Sequence, residues 1–174
     1  MICGLGGNDL IIGFVGNDRI LGGPGDDFLF GGAGNDSLSG GSGNDGADGD
    51  EGLDIVGGGA GRDFLSGGTD DDQLNGNSGK DGMSGDEGND TESGGRGADA
   101  VRGDDGNDTL SGNHGADVVV GGDGDDLLDG GANRDALFGQ AGLDTLRGGP
   151  SHDSCDGGED TDTAVTCEST TGVP

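Results

Sequence analysis

Every ninth residue from Asp9 to Asp162 is aspartate, without a break. A chain that sets one charge at one fixed interval must give that charge the same surroundings each time. This restricts it to a stack of like units. Blocks of nine counted from Gly4 divide residues 4–165 into 18 units. The first residue of the block is glycine in all 18, and the fourth is glycine in 14, the exceptions being Asp70, Asn133, Ser151 and Asp160. The eighth is apolar in 17, from Ile11, Ile20, Leu29 and Leu38 onward, and is broken only by Glu92. Composition alone, with 47 Gly, net charge −29 and 27% hydrophobic residues, would point to disorder. Biased but disordered tails do not hold register over 18 blocks, so the period outweighs the composition.

Each block reads in two parts. Its first six residues, such as Gly31-Gly-Ala-Gly-Asn-Asp36, are turn chemistry, with glycines supplying positive φ. Its last three, such as Ser37-Leu38-Ser39, alternate polar, apolar, polar, as in a very short strand with one face buried. Such a strand is stable only when stacked on copies of itself. Two blocks with opposed strands close one 18-residue coil. About nine coils at a strand spacing of about 4.8 Å make an all-β rod roughly 40 Å long.

Stacking aligns each aspartate with the one two blocks away. Asp9, Asp27, Asp45, Asp63, Asp81, Asp99, Asp117, Asp135 and Asp153 form one edge ladder. Asp18, Asp36, Asp54, Asp72, Asp90, Asp108, Asp126, Asp144 and Asp162 form the other. Bare carboxylates about 5 Å apart repel by about 3 kcal/mol per pair at an effective dielectric near 20. Two small aliphatic side chains per coil do not offset that, so the rod needs a cation. A hard ion taking six to eight oxygens suits carboxylates beside turn carbonyls. Cysteine and histidine do not recur in the block, which argues against Zn2+. Mg2+ prefers a small octahedron with retained water, which a backbone cage serves poorly.

The block GGxGxDxLx, repeated in phase along the chain, resembles the repeats-in-toxin, or haemolysin-type, calcium-binding nonapeptide. The resemblance implies a right-handed parallel β-roll, a β-solenoid, with Ca2+ held between the turns of blocks n and n+2. Both aspartates and alternate turn carbonyls would supply the oxygens. Candidate turn carbonyls are those of Gly22, Gly23 and Gly25, of Gly31, Gly32 and Gly34, and of Gly40, Gly41 and Gly43, and the turns ending at Asp26-Asp27, Asn35-Asp36, Asn107-Asp108 and Asp125-Asp126 read as well formed. Eighteen blocks allow at most 16 such sites, and 16 Ca2+ would nearly neutralise the charge of −29. The resemblance further implies a module disordered where Ca2+ is scarce and folded outside the cell or at its surface, commonly serving an upstream passenger domain. The tail SHDSCDGGEDTDTAVTCE resembles the disulfide-closed cap of some actinobacterial members, which would pair Cys155 with Cys167; the alternative is two free thiols. Cys3 is then left odd.

The expected organisation is a single roll over residues 1–165 and a cap or tail over 166–174. Repeats fill the span, and no serine, cysteine or histidine constellation recurs, so no catalytic activity is expected. His114 and His152 read as solvated turn residues. The charge repels nucleic-acid backbones, and anionic membranes unless a divalent cation intervenes, and no apolar run is long enough to span a bilayer. The start, MICGLGGNDL, lacks the features of a cleavable signal peptide, so export would use another signal or the chain is part of a longer one.

Odd-numbered blocks place Leu10, Ile12, Phe28, Phe30, Phe64, Val118, Val120 and Phe138 beside the inward residue, whereas even-numbered blocks place Arg19, Ser37, Gln73 and Thr109 there. The odd-block face, or the open coil ends, could therefore pack on another domain or a second copy. That leaves a self-assembling or adhesive surface protein as the alternative function. The irregular even face, with Arg19, Gln73 and Asp129, does not suit ice binding. Weaker turns are expected at GDEGLD (49–54), GGTDDD (67–72), GNSGKD (76–81) and GGANRD (130–135), and a loosely held centre at 76–93 around Glu92.

Overall fold

The inward alternation extends beyond the three residues that the sequence marks as strand. In the computed structural model, which describes residues 1–172, most strands are six residues long and run from the apolar triplet into the first three residues of the next block. In Phe28–Ala33, Leu29 and Gly31 face inward between more exposed neighbours, and Asp27 just before the strand is buried as well. Aspartate, leucine and glycine are thus three successive inward positions of one period-two pattern.

Twenty strands among the described residues alternate between two ten-stranded sheets. The first sheet holds β1 (Ile2–Cys3), β3 (Arg19–Pro24), β5 (Ser37–Ser42), β7 (Ile55–Gly61), β9 (Gln73–Gly79), β11 (Thr91–Arg96), β13 (Thr109–His114), β15 (Leu127–Asp129), β17 (Thr145–Arg147) and β19 (Thr163–Val165). The second holds β2 (Leu10–Val15), β4 (Phe28–Ala33), β6 (Gly46–Glu51), β8 (Phe64–Thr69), β10 (Gly82–Glu87), β12 (Ala100–Asp105), β14 (Val118–Asp123), β16 (Ala136–Ala141), β18 (Ser154–Gly158) and β20 (Ser169–Thr171). Neighbours in each sheet pair in parallel, eighteen residues apart, as in Ile11 with Leu29 and Leu29 with Ala47. The fold is therefore a parallel β-solenoid of about nine coils.

Between the sheets runs one column of side chains, from Ile11 and Ile20 through Leu74, Leu110 and Leu128 to Cys155. Glu92 lies in that column, level with Leu74 and Leu110, and is 1% exposed. The stack does not break there, since β9, β10 and β11 keep full register with their neighbours. Of the turns expected to be weaker, GDEGLD, GGTDDD and GNSGKD lie in coils with full strands. At GGANRD, β15 stops at Asp129 and only a single bridge joins His114 to Ala132.

The last coil is shorter. Cys155 pairs with Thr170 across β18 and β20, fifteen residues on rather than eighteen. A disulfide joins Cys155 to Cys167, twelve residues apart, with Cα atoms 6.0 Å apart. Cys155 is the final inward residue of the column, and Ala164 and Cys167 pack against its end. The bridge fixes the tail where no further coil covers the core. Residues 173 and 174 of the expected cap lie outside the described residues. Reducing this bridge is expected to cost about 3 kcal/mol, the value for a loop of this size. Thermal unfolding of oxidised and reduced protein at saturating metal would measure it, and coincident midpoints would rule out a stabilising bridge. Cys3, at the other end, is free and exposed.

Candidate metal sites in the turns

The aspartate ladders do not lie on open edges as the sequence reading had them; they are inside. From Asp27 to Asp162 every ladder carboxylate is 0–3% exposed, and only Asp9 and Asp18, in the first coil, are partly open. The period-two alternation explains this, because the aspartate precedes the inward leucine by two residues.

The two oxygens of each carboxylate have different surroundings. Oδ1 accepts the backbone N–H of the aspartate one coil earlier: Asp9 N–H donates to Asp27 at 2.8 Å, and Asp27 N–H to Asp45 at 2.9 Å. The chain of bonds continues to Asp144 N–H and Asp162. At Asp153 the next acceptor is Oε2 of Glu168, at 2.6 Å, so the tail supplies the carboxylate that the shortened coil lacks.

Oδ2 has no partner. In Asp9 and in every ladder aspartate from Asp27 to Asp162, this atom is buried without a hydrogen bond. It points toward the first glycine of its own block. A Cβ placed on Gly31 would lie 2.5 Å from Asp36 Oδ2 and 2.6 Å from the main-chain oxygen of Gly49. One placed on Gly76 would lie 2.6 Å from Asp81 Oδ2 and 2.7 Å from the Gly94 oxygen. The invariant first glycine is therefore required for space. Positive φ belongs to the second position of the block, in all 18 copies, and to most copies of the fourth. Of the nine turn glycines singled out from sequence, Gly22, Gly31 and Gly40 leave room for the carboxylate. Gly23, Gly32, Gly41, Gly25, Gly34 and Gly43 bend the chain.

A carboxylate oxygen and a carbonyl oxygen thus converge with no donor between them, and burying such a pair unsatisfied is costly. Twelve of the ladder aspartates respond as buried acids do. Removal from water, and then like charges nearby, push Asp54, Asp81, Asp90 and Asp135 up to about 6, and Asp72 and Asp126 up to about 7. Asp45, Asp63, Asp99, Asp108, Asp117 and Asp144 are also raised, led by the same loss of hydration. Among the described residues no three acidic, histidine or cysteine side chains converge on one point. Any ion in these turns must therefore draw largely on main-chain oxygen, which fits a hard cation and not Zn2+.

A second ladder escaped the sequence reading. At the fifth position of the block, Asn8 Oδ1 accepts the Asp26 N–H at 3.1 Å, and Asp26 Oδ1 accepts the Asn44 N–H at 2.8 Å. Asn107 and Asp125 continue it in a later stretch, toward the Asp125 and Leu143 amides. The recurrence of Asn or Asp just before the ladder aspartate was the available signal. Its bonds run forward along the coils, whereas those of the sixth position run backward, so together they tie each turn to both neighbours. His114 and His152, expected as solvated turn residues, are exposed.

The model of the RTX calcium-binding nonapeptide repeat, in four copies, matches residues 4–29, 21–56, 57–92, 93–128 and 129–164. A search among curated proteins finds no match. No helix among the described residues is long and apolar enough to cross a membrane.

Proposed function

The chain belongs to the RTX calcium-binding nonapeptide-repeat family, and from that premise we propose a structural module that folds on Ca2+ outside the cell and performs no catalysis. The observation that carries the proposal is the row of buried Oδ2 atoms without a donor, most of them, as at Asp27, Asp36, Asp54 and Asp81, beside a main-chain oxygen from the next coil. Ca2+ supplies the positive charge such a pair lacks and accepts the high oxygen count that stacked turns can offer. The ladder aspartates Asp9 to Asp162 would each contribute Oδ2, while Oδ1 stays in the backbone ladder. First-position carbonyls such as those of Gly40 and Gly49 would complete the sites between successive coils. With at most 16 ions, the protein approaches neutrality at full loading.

The same arrangement explains a switch. Without the ion, the folded coil must hold buried carboxylates against a core of small aliphatic groups and glycine-rich turns of high unfolded entropy. Binding free energy is then folding free energy. RTX proteins are typically secreted, and a chain that is disordered at low Ca2+ and ordered at high Ca2+ suits passage followed by folding. Far-UV circular dichroism of metal-stripped protein titrated with Ca2+ tests the reading. A cooperative coil-to-strand transition with Ca2+ and none with Mg2+ is expected. No transition, or an equal one with Mg2+, would overturn it.

A further inference from the structure

The outer face of the second sheet is divided lengthwise in a way that the metal sites do not explain. Along its middle lies a hollow of about 500 Å3 spanning strands β4 to β14. Phe28 and Phe64 stand over it, 59% and 58% exposed, and Val118 and Val120 close the far end. Gly46 and Gly82 form low points, and the rings lean over them: a Cβ at Gly46 would come 2.9 Å from the Phe28 ring, and one at Gly82 3.2 Å from that of Phe64.

Beside this trough, on the same strands, lies a second hollow of about 540 Å3 lined by Asp50, Glu51, Asp86, Glu87, Asp104 and Asp105. None of these is a ladder aspartate, so they are not among the carboxylates that turn metal would take up. Two basic side chains flank the phenylalanine trough: Arg102, which lines it with Asp48 and pairs with Asp104, and Arg62, which stacks over the Phe64 ring. The face is therefore apolar in the middle and acidic along one flank.

That division selects the chemistry of an occupant. An anionic membrane would meet the acidic flank with like charge. A second copy would bring a like acidic flank, which turn metal does not compensate, to the same face. An amphipathic segment with a basic flank satisfies both strips. The trough crosses six strands, roughly 24 Å at the usual strand spacing, which is the length of a helix of about 16 residues. We propose that this face docks a basic amphipathic helix of another protein. Its apolar side chains at helical spacing would enter the trough between Phe28 and Val118, and its lysines or arginines would lie along Asp50, Asp86 and Asp104.

The probe is a fluorescein-labelled 16-residue amphipathic Leu/Lys peptide, followed by anisotropy in Ca2+ buffer at physiological salt. Saturable binding is expected. It should weaken by about tenfold or more in Phe28→Ser/Phe64→Ser, which leaves the charge unchanged, and comparably in Asp50→Asn/Asp86→Asn/Asp104→Asn. Those three sites have φ of 73–77°, which asparagine tolerates, as Asn77 and Asn113 do at the same block position. The control is Asp26→Asn/Asp71→Asn/Asp125→Asn, an equal charge change at exposed turn tips where Asn35, Asn44 and Asn107 occur naturally. It should bind as the parent does.

Equal weakening in both triple variants would show unspecific charge attraction and overturn the proposal. So would binding indifferent to the phenylalanine pair, or sedimentation showing that a second copy occupies the face. Circular dichroism keeps the two readings apart. Folded protein that ignores the peptide overturns the docking alone, whereas protein that fails to fold with Ca2+ overturns the calcium reading and removes the face with it.

Discussion

Metal-stripped protein is expected to be largely disordered at pH 7.5 and to regain strand signal when acidified toward pH 5. With Ca2+ present, the order should reverse, the folded state being favoured at the higher pH. The ladder aspartates carry this expectation. Their ordinary value is 3.8, and in the folded chain Asp54, Asp81, Asp90 and Asp135 rise to about 6 and Asp72 and Asp126 to about 7. Between those limits the folded state binds more protons than the unfolded one. The stabilisation is complete below about 3.8 and is lost as pH rises through 6 to 7. A local reason matches this sign, because a protonated Oδ2 becomes a donor and can satisfy the acceptor-only pocket that otherwise needs a cation. Proton and Ca2+ then compete for one oxygen, so Ca2+ binding releases protons and strengthens with pH over the same window. Acid titration of metal-free protein by circular dichroism, stopped at pH 5 to stay above the isoelectric point near 4.1, measures the first limb. Calcium titrations at pH 5.5 and 7.5 measure the second. A monotonic loss of strand signal on acidifying the metal-free protein would show that the buried carboxylates are not what opposes folding.

The period alone marks every ladder aspartate and every residue of the apolar column, because each repeats in its own phase. What the period does not carry is direction. Nothing in Ser37-Leu38-Ser39 says that the alternation runs on through Gly40, so the strands read as three residues and the aspartates as edge groups. The inward sequence Asp27, Leu29, Gly31 becomes visible only once the strand is known to be six residues long. Glycine was ambiguous for the same reason. At the first position it makes room for Oδ2 and at the second it bends the chain, and both appear in the sequence as the same letter. The substitutions tell them apart. The second position accepts Asp50, Asn77 and Asp104, and even Leu5 and Phe14, at positive φ. The first accepts none. A side chain can bear backbone strain of about 1–2 kcal/mol more readily than it can share the space of a buried carboxylate. The shortened last coil was not legible, since Glu168 stands outside the nine-residue phase that made everything else readable.

Glu92→Leu is expected to stabilise the folded roll, which is unusual for a core substitution. Glu92 is 1% exposed, and neither carboxyl oxygen has a hydrogen-bond partner. Burial, followed by the charges of Asp90 and Asp108, holds its carboxyl well above the usual range, only partly opposed by the backbone N–H of Arg102 nearby. Such a group costs about 1–3 kcal/mol, and a leucine of similar bulk would continue the column between Leu74 and Leu110. In a solenoid this gain acts through the two flanking coils. It should raise the unfolding midpoint at fixed Ca2+, at about 2–4 °C per kcal/mol for a chain of this size, and lower the Ca2+ needed to fold. Hydrogen exchange adds a local readout. Residues 76–93 should exchange faster than residues 22–45 in the parent, and the difference should narrow in the variant. Glu92→Gln separates charge from shape, because it removes the proton-linked cost but keeps a buried polar group and so should recover only part of the gain. A midpoint that falls in Glu92→Leu would mean that the carboxyl serves the coil it interrupts, and that the centre of the roll is held by that group rather than weakened by it.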